Sequence, residues 1–341
     1  LVSTGYQKRS SDLYDKKNCL LEDDFIDFLK ESQPKEYKKL EGAYGSEVRR
    51  NLIYRLDREV SRKGTLRVLR GGFSDRDASI KLAYFMPASG LNPEHEKLYK
   101  KNKLSIVRQL KYSTKNENSL DIVLFLNGLP IVTIELKNAL TGQYAQSAIK
   151  QYKNDRNPKE KLFKFKRCLV HFALGSEKVF MTTKLAGKST FFLPFNRDTE
   201  NPVNPDGYMT SYLWEAILHP DSLMELICNY LHLQNVTQKF YDETTKDVIE
   251  TSKDIFIFPR FHQLSVVKDA LQYTKVNGPG KNYLVQHSAG SGKSNSIAWL
   301  AHQLASLYES KDAKKRIFDS IIVLTDRRIL DRQLQNTIKQ F

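Results

Sequence analysis

Two acidic residues and one lysine, Asp121, Glu135 and Lys137, stand at the ends of strongly apolar stretches of the sequence. A charged side chain beside apolar strands costs free energy unless an opposite charge, a hydrogen bond or a bound ion compensates it. A pair of carboxylates can bind Mg²⁺ through oxygen ligands, and water activated by that ion can attack a phosphodiester. A lysine can orient the water or offset charge on the phosphate. The alternative from the same spacing is a cross-strand salt bridge on a solvated sheet face.

A hairpin over residues 119–138 would bring these three residues together. Asn127-Gly128 between two β-rich runs is the strongest short hairpin signal and predicts two adjacent antiparallel strands. Counting outward from a two-residue turn places 121 opposite 134, so Asp121 and Glu135 become near neighbours if a bulge or twist is allowed for. Lys137 is expected on the face of Glu135, because strand side chains repeat every two residues.

The segment HSAGSGKS, residues 287–294, carries a second kind of chemistry. It matches the G-x-x-x-x-G-K-[ST] phosphate loop, except that His287 replaces the first glycine. Gly290 and Gly292 would turn backbone N–H groups toward the phosphates of ATP at the positive end of the following helix. Lys293 would supply a cation, and the Ser294 hydroxyl would complete a Mg²⁺ shell. The alternative is a glycine-rich turn with an exposed lysine.

Two flanking motifs resemble those of superfamily 2 helicases and translocases. FPRFHQ, residues 258–263, resembles their adenine-reading element, in which Arg260 and Gln263 are the implied binding residues, since a glutamine offers both a donor and an acceptor. IIVLTDRRILDRQL, residues 321–334, resembles the next motif, with Thr325 and Arg327 as implied phosphate contacts. Helix-cap residues and a charged loop are the alternatives. No acidic Walker B strand follows in these residues, so we expect ATP binding without efficient hydrolysis.

The charge balance favours a polyanionic partner. Lys and Arg number 54 against 39 Asp and Glu, which gives a net charge of +15 over 341 residues, and nucleic acid is the expected partner. Two basic runs flank the predicted metal site, where phosphate contacts are their expected use. Solvated faces remain the alternative. The runs are Lys97, Lys100, Lys101, Lys103, Arg108 and Lys111, and Lys150, Lys153, Arg156, Lys159, Lys161, Lys164, Lys166 and Arg167.

Composition also excludes several classes of protein. With 40% hydrophobic and 27% charged residues, 16 Gly and 11 Pro, the chain is neither collagen-like, low-complexity nor wholly disordered. No apolar run approaches the roughly eighteen residues that span a bilayer, and the opening residues lack a signal-peptide core, so we expect a cytoplasmic protein with no membrane partner. Three scattered cysteines predict reduced thiols. Because the chain starts at Leu and stops within a helical pattern, we expect it to be part of a longer protein.

Hydrophobic periodicity predicts a first domain with a mixed α/β sheet covered by helices. Helices are predicted at 20–31, 46–63, 144–156 and 211–233, strands at 65–73, 79–87, 119–138, 168–174 and 177–183, and an exposed loop at 196–210. The polar stretch 236–254 is predicted to hold the domain linker. Beyond it, predicted helices at 261–276 and 294–310 alternate with predicted buried strands at 282–286 and 319–325, which is the start of a doubly wound parallel sheet.

The segment SLDIVLFLNGLPIVTIELKN, with Asp121 and then Glu135-x-Lys137, resembles the PD-(D/E)xK nuclease core in the restriction (R) subunit of type I restriction-modification enzymes. YKNDRNP, VHFAL, LPFNRD, YLWE and FPRFHQ follow in the family's order, so the resemblance covers nearly the whole chain. It implies a PD-(D/E)xK restriction-endonuclease-like domain over residues 1–250. An incomplete first RecA-like parallel α/β lobe of a DNA translocase would follow over 251–341.

The family also has a Q-x-x-x-Y motif after the nuclease core. Tyr152 matches its tyrosine, but no Gln lies four residues earlier, and Gln146 and Gln151 are both candidates. Such a Gln would face DNA or the catalytic lysine, with a surface amide as the alternative. The family pattern further implies an acidic residue on an early helix near the metal, for which Glu22 and Glu47 are candidates that spacing does not separate.

The resemblance implies a Mg²⁺-dependent, sequence-non-specific endonuclease coupled to ATP-driven translocation of double-stranded DNA, in host-defence restriction of unmodified DNA. Asp121 and Glu135 would bind Mg²⁺, and Lys137 would assist the attack of water. Separate methyltransferase and specificity subunits would choose the target, in the cytoplasm of a bacterium or archaeon. The alternative is a non-catalytic DNA-binding and subunit-assembly module with a regulatory ATP site.

Overall fold

The computed structural model describes residues 1–87, 92–138, 140, 142–242, 246–309, 314–326 and 334–339. Their contacts divide the chain into two compact units, Leu1–Cys228 and Asn229–Phe341. This division falls earlier than the expected boundary after residue 250. None of the helices in the described part of the chain combines the length and apolar character needed to cross a bilayer.

A seven-stranded mixed sheet organises the first unit, as the periodicity predicted. The strands of this unit are β1 (Gln7–Arg9), β2 (Tyr14–Asp15), β3 (Leu20–Leu21), β4 (Phe73–Asp75), β5 (Ala78–Ile80), β6 (Leu104–Lys111), β7 (Ser119–Leu126), β8 (Leu129–Leu136), β9 (Val170–Leu174), β10 (Val179–Thr182) and β11 (Leu193–Pro194). The large sheet has the order β1-β6-β7-β8-β9-β10-β11. Its β1/β6 and β8/β9 pairs are parallel, and its other pairs are antiparallel.

Helices of the first unit confirm most of the periodic segments. They are α1 (Glu22–Ser32), α2 (Pro34–Tyr44), α3 (Val48–Lys63), α4 (Thr65–Gly71), α5 (Pro93–Tyr99), α6 (Ala145–Asn154) and α7 (Pro220–Glu225), with a π-helical turn at Leu213–Ile217. A second π-helical turn, Leu226–Tyr230, includes the division between the units. The strand predicted over 65–73 is wrong, because most of that segment forms α4. Leu66 and Leu69, three residues apart, are both buried there, and this spacing suits a helix better than an alternating strand.

The β7/β8 hairpin confirms its turn and adjusts its register. Asn127 and Gly128 both have positive φ, 49° and 83°, as the predicted turn requires. A Cβ on Gly128 would lie 2.4 Å from the Leu21 carbonyl oxygen, so this position requires glycine. A bulge between Leu124 and Phe125 shifts the pairing, and Ile122 rather than 121 faces residue 134.

Helix α6 covers the face of the sheet behind the hairpin. Its Ala148 and Tyr152 belong to one buried apolar cluster with Val123 of β7 and Ala173 of β9. Gly175, just after β9, has no room for a side chain, because a Cβ would lie 2.9 Å from the Ala145 backbone nitrogen. The first turn of α6 is therefore held against the end of β9.

Residues 334–339 of the second unit are helical, and the longer elements among its described residues are one hairpin and two helices. They are β12 (His232–Asp242), β13 (Asp247–Ile257), α8 (Phe261–Asn277) and α9 (Lys293–Ala305). Both helices confirm the predictions. The polar stretch predicted as a linker lies within the hairpin instead, where antiparallel pairing runs from His232/Ile257 to Asp242/Asp247 and satisfies a backbone whose side chains alone would not specify a strand.

The two buried strands predicted in this unit are wrong. Neither 282–286 nor 319–325 forms a strand, and Leu284 and Leu324 are 91% and 89% exposed. An apolar run becomes a strand only where a neighbour pairs with its backbone, and the described residues of these runs lack such a neighbour. The core of this unit instead includes Trp299 of α9, which is fully buried and donates from Nε1 to the Tyr230 carbonyl at 2.7 Å.

Candidate functional site

Asp121 lies near the start of β7, and two neighbouring strands hold its carboxylate. Oδ1 accepts a hydrogen bond from Gln109 Nε2 at 2.9 Å, and Oδ2 accepts one from the Leu136 backbone N–H at 2.8 Å. Gln109 has a positive φ of 49° and also accepts from the Ser119 hydroxyl at 2.9 Å. Gln109 is a site residue that the sequence analysis missed, because a lone glutamine within an apolar strand gives no signal.

Glu135, near the end of β8, has no solvent-exposed surface. Its Oε1 is 2.7 Å from both Nε and Nη2 of Arg156. Burial raises the pKa of Glu135 to about 7, while Arg156 opposes this rise and Asp121 adds to it. The carboxylate is therefore held in a desolvated position that strongly favours a cationic neighbour.

The hairpin bulge is what brings the two carboxylates together. Because Ile122 faces Ile134, one further step along each strand places Asp121 beside Glu135, and the negative charge of Asp121 adds to the raised pKa of Glu135. Glu135 Oε2 is buried and has no hydrogen-bond partner among the described residues. An unpartnered oxygen beside a second carboxylate is a suitable ligand set for a hard cation.

Lys137 lies one residue beyond β8 and is half-buried. Its backbone N–H donates to the Leu174 carbonyl at 2.9 Å. No hydrogen bond or ion pair joins its ammonium to Asp121 or Glu135 in the described part of the chain. The side chain lines a largely apolar cavity of about 470 Å³, with Ile134 and Trp214 among the other walls. The structure thus places the two carboxylates beside each other on neighbouring strands, and no hydrogen bond or ion pair among the described residues joins the lysine to them.

The two candidate glutamines differ in environment. Gln146 is exposed, whereas Gln151 is half-buried and its Oε1 is buried without a partner among the described residues. Tyr152 is fully buried, and its hydroxyl shares a hydrogen bond with the Thr133 hydroxyl at 2.8 Å. Since Tyr152 has no exposed surface, its visible role is to fix α6 on β8.

Neither candidate for the third acidic residue joins the carboxylate pair. Glu22 forms an ion pair with Arg49 at 3.0 Å, and Glu47 forms one with Arg50 at 3.3 Å. Within the described ranges, no cluster of three or more His, Cys, Asp or Glu side chains is arranged to hold a metal ion. Any ion at this site would therefore take its protein ligands from the Asp121–Glu135 pair and neutral oxygen groups.

The basic run from residue 150 to 167 does not form one solvated face. Arg156 and Arg167, predicted as phosphate contacts, are both 4% exposed. Arg167 pairs with Asp57 at 3.0 Å and also donates to the Asn18 and Cys19 carbonyls. Six lysines of the run are exposed or half-buried, namely Lys150, Lys153, Lys159, Lys161, Lys164 and Lys166. Sequence charge alone did not separate the buried arginines from the surface lysines.

The segment 287–294 forms a loop that leads into α9. Gly290 and Gly292 have φ of 73° and 84°, a conformation that allows consecutive N–H groups to face one side. Lys293 Nζ donates to the His287 and Ser288 carbonyls, each at 2.9 Å. Lys293 and Ser294 are both exposed in the first turn of the helix, so both can be reached by a ligand.

Gln263 bonds to the protein itself in this structure, and its predicted contact with adenine stays a prediction. It is 4% exposed, and its Oε1 accepts from the Arg260 N–H at 2.8 Å. Its Nε2 donates to the carbonyls of Ser291 and Gly292 at 3.1 and 3.0 Å. With both ends of the amide engaged, Gln263 ties the start of α8 to the loop. Arg260 is half-buried at the helix N-cap.

Of the two residues predicted to contact phosphate after position 319, the structure describes one. Thr325 is exposed and lies outside any helix or strand. Arg327 lies outside the described residues.

Both units match known protein families. The family model described as type I restriction enzyme R protein N terminus matches residues 16–190, which is about half of the chain and includes Asp121, Glu135 and Arg156. The chain belongs to this family. The SWI2/SNF2 ATPase model matches residues 262–341, which include the loop 287–294 and Gln263 but not Arg260.

Curated relatives agree with this assignment. The chain is 26% identical over 250 residues to the putative type I restriction enzyme MjaVIIIP endonuclease subunit of Methanocaldococcus jannaschii, which covers 70% of this chain and 21% of that protein. It is 25% identical over 243 residues to the type I restriction enzyme HindI endonuclease subunit of Haemophilus influenzae, covering 69% and 21%. The type I restriction enzyme SauCOLORF180P endonuclease subunit of Staphylococcus aureus is 24% identical over 242 residues, covering 71% and 23%. The chain spans about a fifth of the length of these relatives.

Proposed function

We propose that this chain provides the DNA-cleaving domain and the first part of the ATP-driven translocase of a type I restriction enzyme R subunit. The observation that carries the proposal is the cross-strand placement of Asp121 beside the buried Glu135, whose Oε2 has no partner among the described residues. Two neighbouring carboxylates repel each other, and a bound cation relieves this repulsion. The relatives' names as endonuclease subunits support a role in cleavage.

The side chains present fit a divalent metal ion. Asp121 and Glu135 would hold it through carboxylate oxygens, and Gln151 of α6, whose Oε1 has no partner among the described residues, is the candidate for a neutral oxygen ligand. Oxygen donors with two negative charges suit Mg²⁺, which keeps several water ligands of its own. When bound, such an ion polarises a phosphodiester and activates water.

The protein groups around the pair have separate tasks. Gln109 and the Leu136 N–H fix Asp121, and Arg156 fixes Glu135. Lys137, at the end of the same strand, would place its cation near the scissile phosphate and offset negative charge as it develops. We propose a PD-(D/E)xK-type site on this basis, on a domain that we assign to residues 1–250.

The second part of the proposal concerns the loop 287–294, within residues 251–341. Gly290 and Gly292 would direct N–H groups at the phosphates of ATP, and the exposed Ser294 hydroxyl would complete the shell of its Mg²⁺. Lys293 would exchange its two carbonyl partners for phosphate oxygens. The SWI2/SNF2 match supports a RecA-like ATPase lobe here, with Arg260 beside the nucleotide and Gln263 supporting the loop.

In the complete protein we propose sequence-non-specific cutting coupled to translocation of double-stranded DNA, in complex with methyltransferase and specificity subunits. This activity would serve host-defence restriction in the cytoplasm of a bacterium or archaeon. The exposed lysines of the basic run from residue 150 to 167 support contact with DNA phosphates. Such contacts weaken as salt concentration rises.

The test compares Asp121→Asn with Asp206→Asn in the full-length subunit. Both changes remove one carboxylate, but Asp206 is exposed in the loop 196–210 and is not one of the proposed metal ligands. Asp121→Asn should abolish Mg²⁺-dependent plasmid cleavage and leave DNA binding unchanged, whereas Asp206→Asn should cleave normally. Undiminished cleavage by Asp121→Asn would refute the nuclease site.

One observation favours the second candidate, a non-catalytic DNA-binding and assembly module with a regulatory ATP site. Arg156 already neutralises Glu135, as it would in a purely structural ion pair. That alternative predicts no cleavage by the wild-type assembly in any divalent metal, together with normal DNA binding.

A further inference from the structure

Arg156 makes a set of directional contacts that no motif in the sequence predicts. Two residues beyond α6, its guanidinium contacts Glu135 Oε1 through Nε, and its Nη2 donates to the Ser119 carbonyl at 2.8 Å. The guanidinium carbon also lies 5.7 Å from the ring centroid of Tyr112. Because the fork is planar, these contacts together fix the orientation of the guanidinium.

The contacts are asymmetric on the carboxylate. Both close nitrogens of Arg156 approach Oε1, and Oε2 remains without a partner in the described structure. A rotation of the carboxyl group would exchange the two oxygens, but the fixed guanidinium opposes it. Arg156 therefore determines which oxygen of Glu135 remains available to a ligand.

We propose that Arg156 is a positioning residue of the nuclease site, which holds Glu135 through Oε1 so that Oε2 is presented to the divalent ion. The inference rests on the proposed function, because it assumes that Asp121 and Glu135 are the metal ligands. Groups that orient a metal ligand from behind commonly change metal affinity by about 10–100-fold when they are removed. Arg156 would thereby link the end of α6 to the metal site.

Arg167 provides the matched comparison. It is buried to the same extent as Arg156 and also joins a carboxylate to backbone carbonyls. Its carboxylate, Asp57, is additionally paired with Lys161 at 2.7 Å, and none of these groups contacts the Asp121–Glu135 pair. Removing either arginine should destabilise the fold, but only Arg156 should influence metal binding.

The experiment measures Mn²⁺ binding to the full-length protein by electron paramagnetic resonance, without nucleotide so that the loop 287–294 does not contribute. Asp121→Asn identifies the signal from this site by abolishing it. Arg156→Met should weaken that binding at least tenfold and raise the Mg²⁺ concentration for half-maximal cleavage in parallel. Arg167→Met should lower the unfolding temperature and leave both values within twofold of the wild type.

Arg156→Lys keeps the positive charge but loses the planar fork, so it should weaken Mn²⁺ binding about two- to tenfold. This variant decides the question if Arg156→Met does not fold. Wild-type or tighter Mn²⁺ affinity in folded Arg156→Lys, or in folded Arg156→Met, would overturn the inference while the nuclease site stands. If Asp121→Asn leaves the wild-type Mn²⁺ signal unchanged, the metal site itself is misplaced and both proposals fail.

Discussion

His171, on β9, offers a test of the packing behind the candidate site. The ring is buried, and its Nδ1 lies 2.7 Å from the Thr133 hydroxyl, which also bonds Tyr152. Burial lowers the pKa of His171 to about 3, because a desolvated imidazole disfavours its charged form. We expect His171→Asn, which keeps a polar atom near the Nδ1 position, to change how stability depends on pH.

The sign and size of this change in pH dependence follow from the linkage between folding and proton binding by His171. In the unfolded chain a histidine binds its proton near pH 6.5, whereas the buried ring stays neutral until about pH 3. Between these values the unfolded state binds more protons, so the free energy of unfolding falls as the pH falls. The slope approaches about 1.4 kcal/mol per pH unit, and the loss between pH 6.5 and 4.5 is about 2 kcal/mol. The stabilisation that comes from keeping His171 neutral is fully present only above pH 6.5.

Urea unfolding followed by circular dichroism at several pH values measures this effect. Other groups that titrate are present in both proteins. Their contributions cancel when the curve of unfolding free energy against pH for His171→Asn is subtracted from that of the wild type. Tyr152→Phe is the matched control, because it removes a hydroxyl from the same cluster without removing a group that titrates in this range. It should lower stability by about 1 kcal/mol at every pH. Parallel curves for wild type and His171→Asn would refute the buried neutral imidazole.

Three further outcomes are expected. Gly128→Ala should destabilise the first unit by about 3 kcal/mol or more, because its φ is positive and its Cβ would strike the Leu21 carbonyl, whereas Gly5→Ala, at a left-handed position where the Cβ would meet Pro220 at an ordinary 3.7 Å, should cost only about 1–2 kcal/mol,. Urea unfolding measures both, and equal losses would contradict the close approach. Gly292→Ala should weaken binding of a fluorescent ATP analogue more than tenfold, since its Cβ would lie 2.3 Å from Gln263 Nε2. Gln263→Ala should weaken it less, and a larger effect than that of Gly292→Ala would argue that the amide contacts the nucleotide directly.

Local signals predicted the elements that depend on nearby residues. The Asn127-Gly128 turn is confirmed because the need for positive φ at two consecutive residues is local chemistry,. The helices α3 and α8 are confirmed because a regular apolar spacing specifies both the helix and its buried face,. The strand predicted for the segment that forms α4 is wrong, although the spacing of its buried Leu66 and Leu69 suits a helix,.

Local sequence patterns did not predict which segments would find a neighbouring strand to pair with. Polar residues of β12 and β13 form an extended hairpin because each backbone finds a partner, while the apolar run at 282–286 forms no strand. Burial in a sheet depends on both the side chains and the availability of an adjacent strand. Apolar character alone therefore predicted strands in the wrong places.

The sequence by itself determined the residue types of the candidate site, its hairpin and the phosphate-loop pattern, because these depend on chemical identity and on spacing over a few residues. Only the tertiary structure decided that a bulge aligns Asp121 with Glu135, and that Arg156 pairs with Glu135 across 21 positions of the chain. It also decided that Gln263 bonds to a loop 28 residues away. Such contacts join residues distant in sequence, and the burial that gives them their energetic weight arises only when the chain has folded.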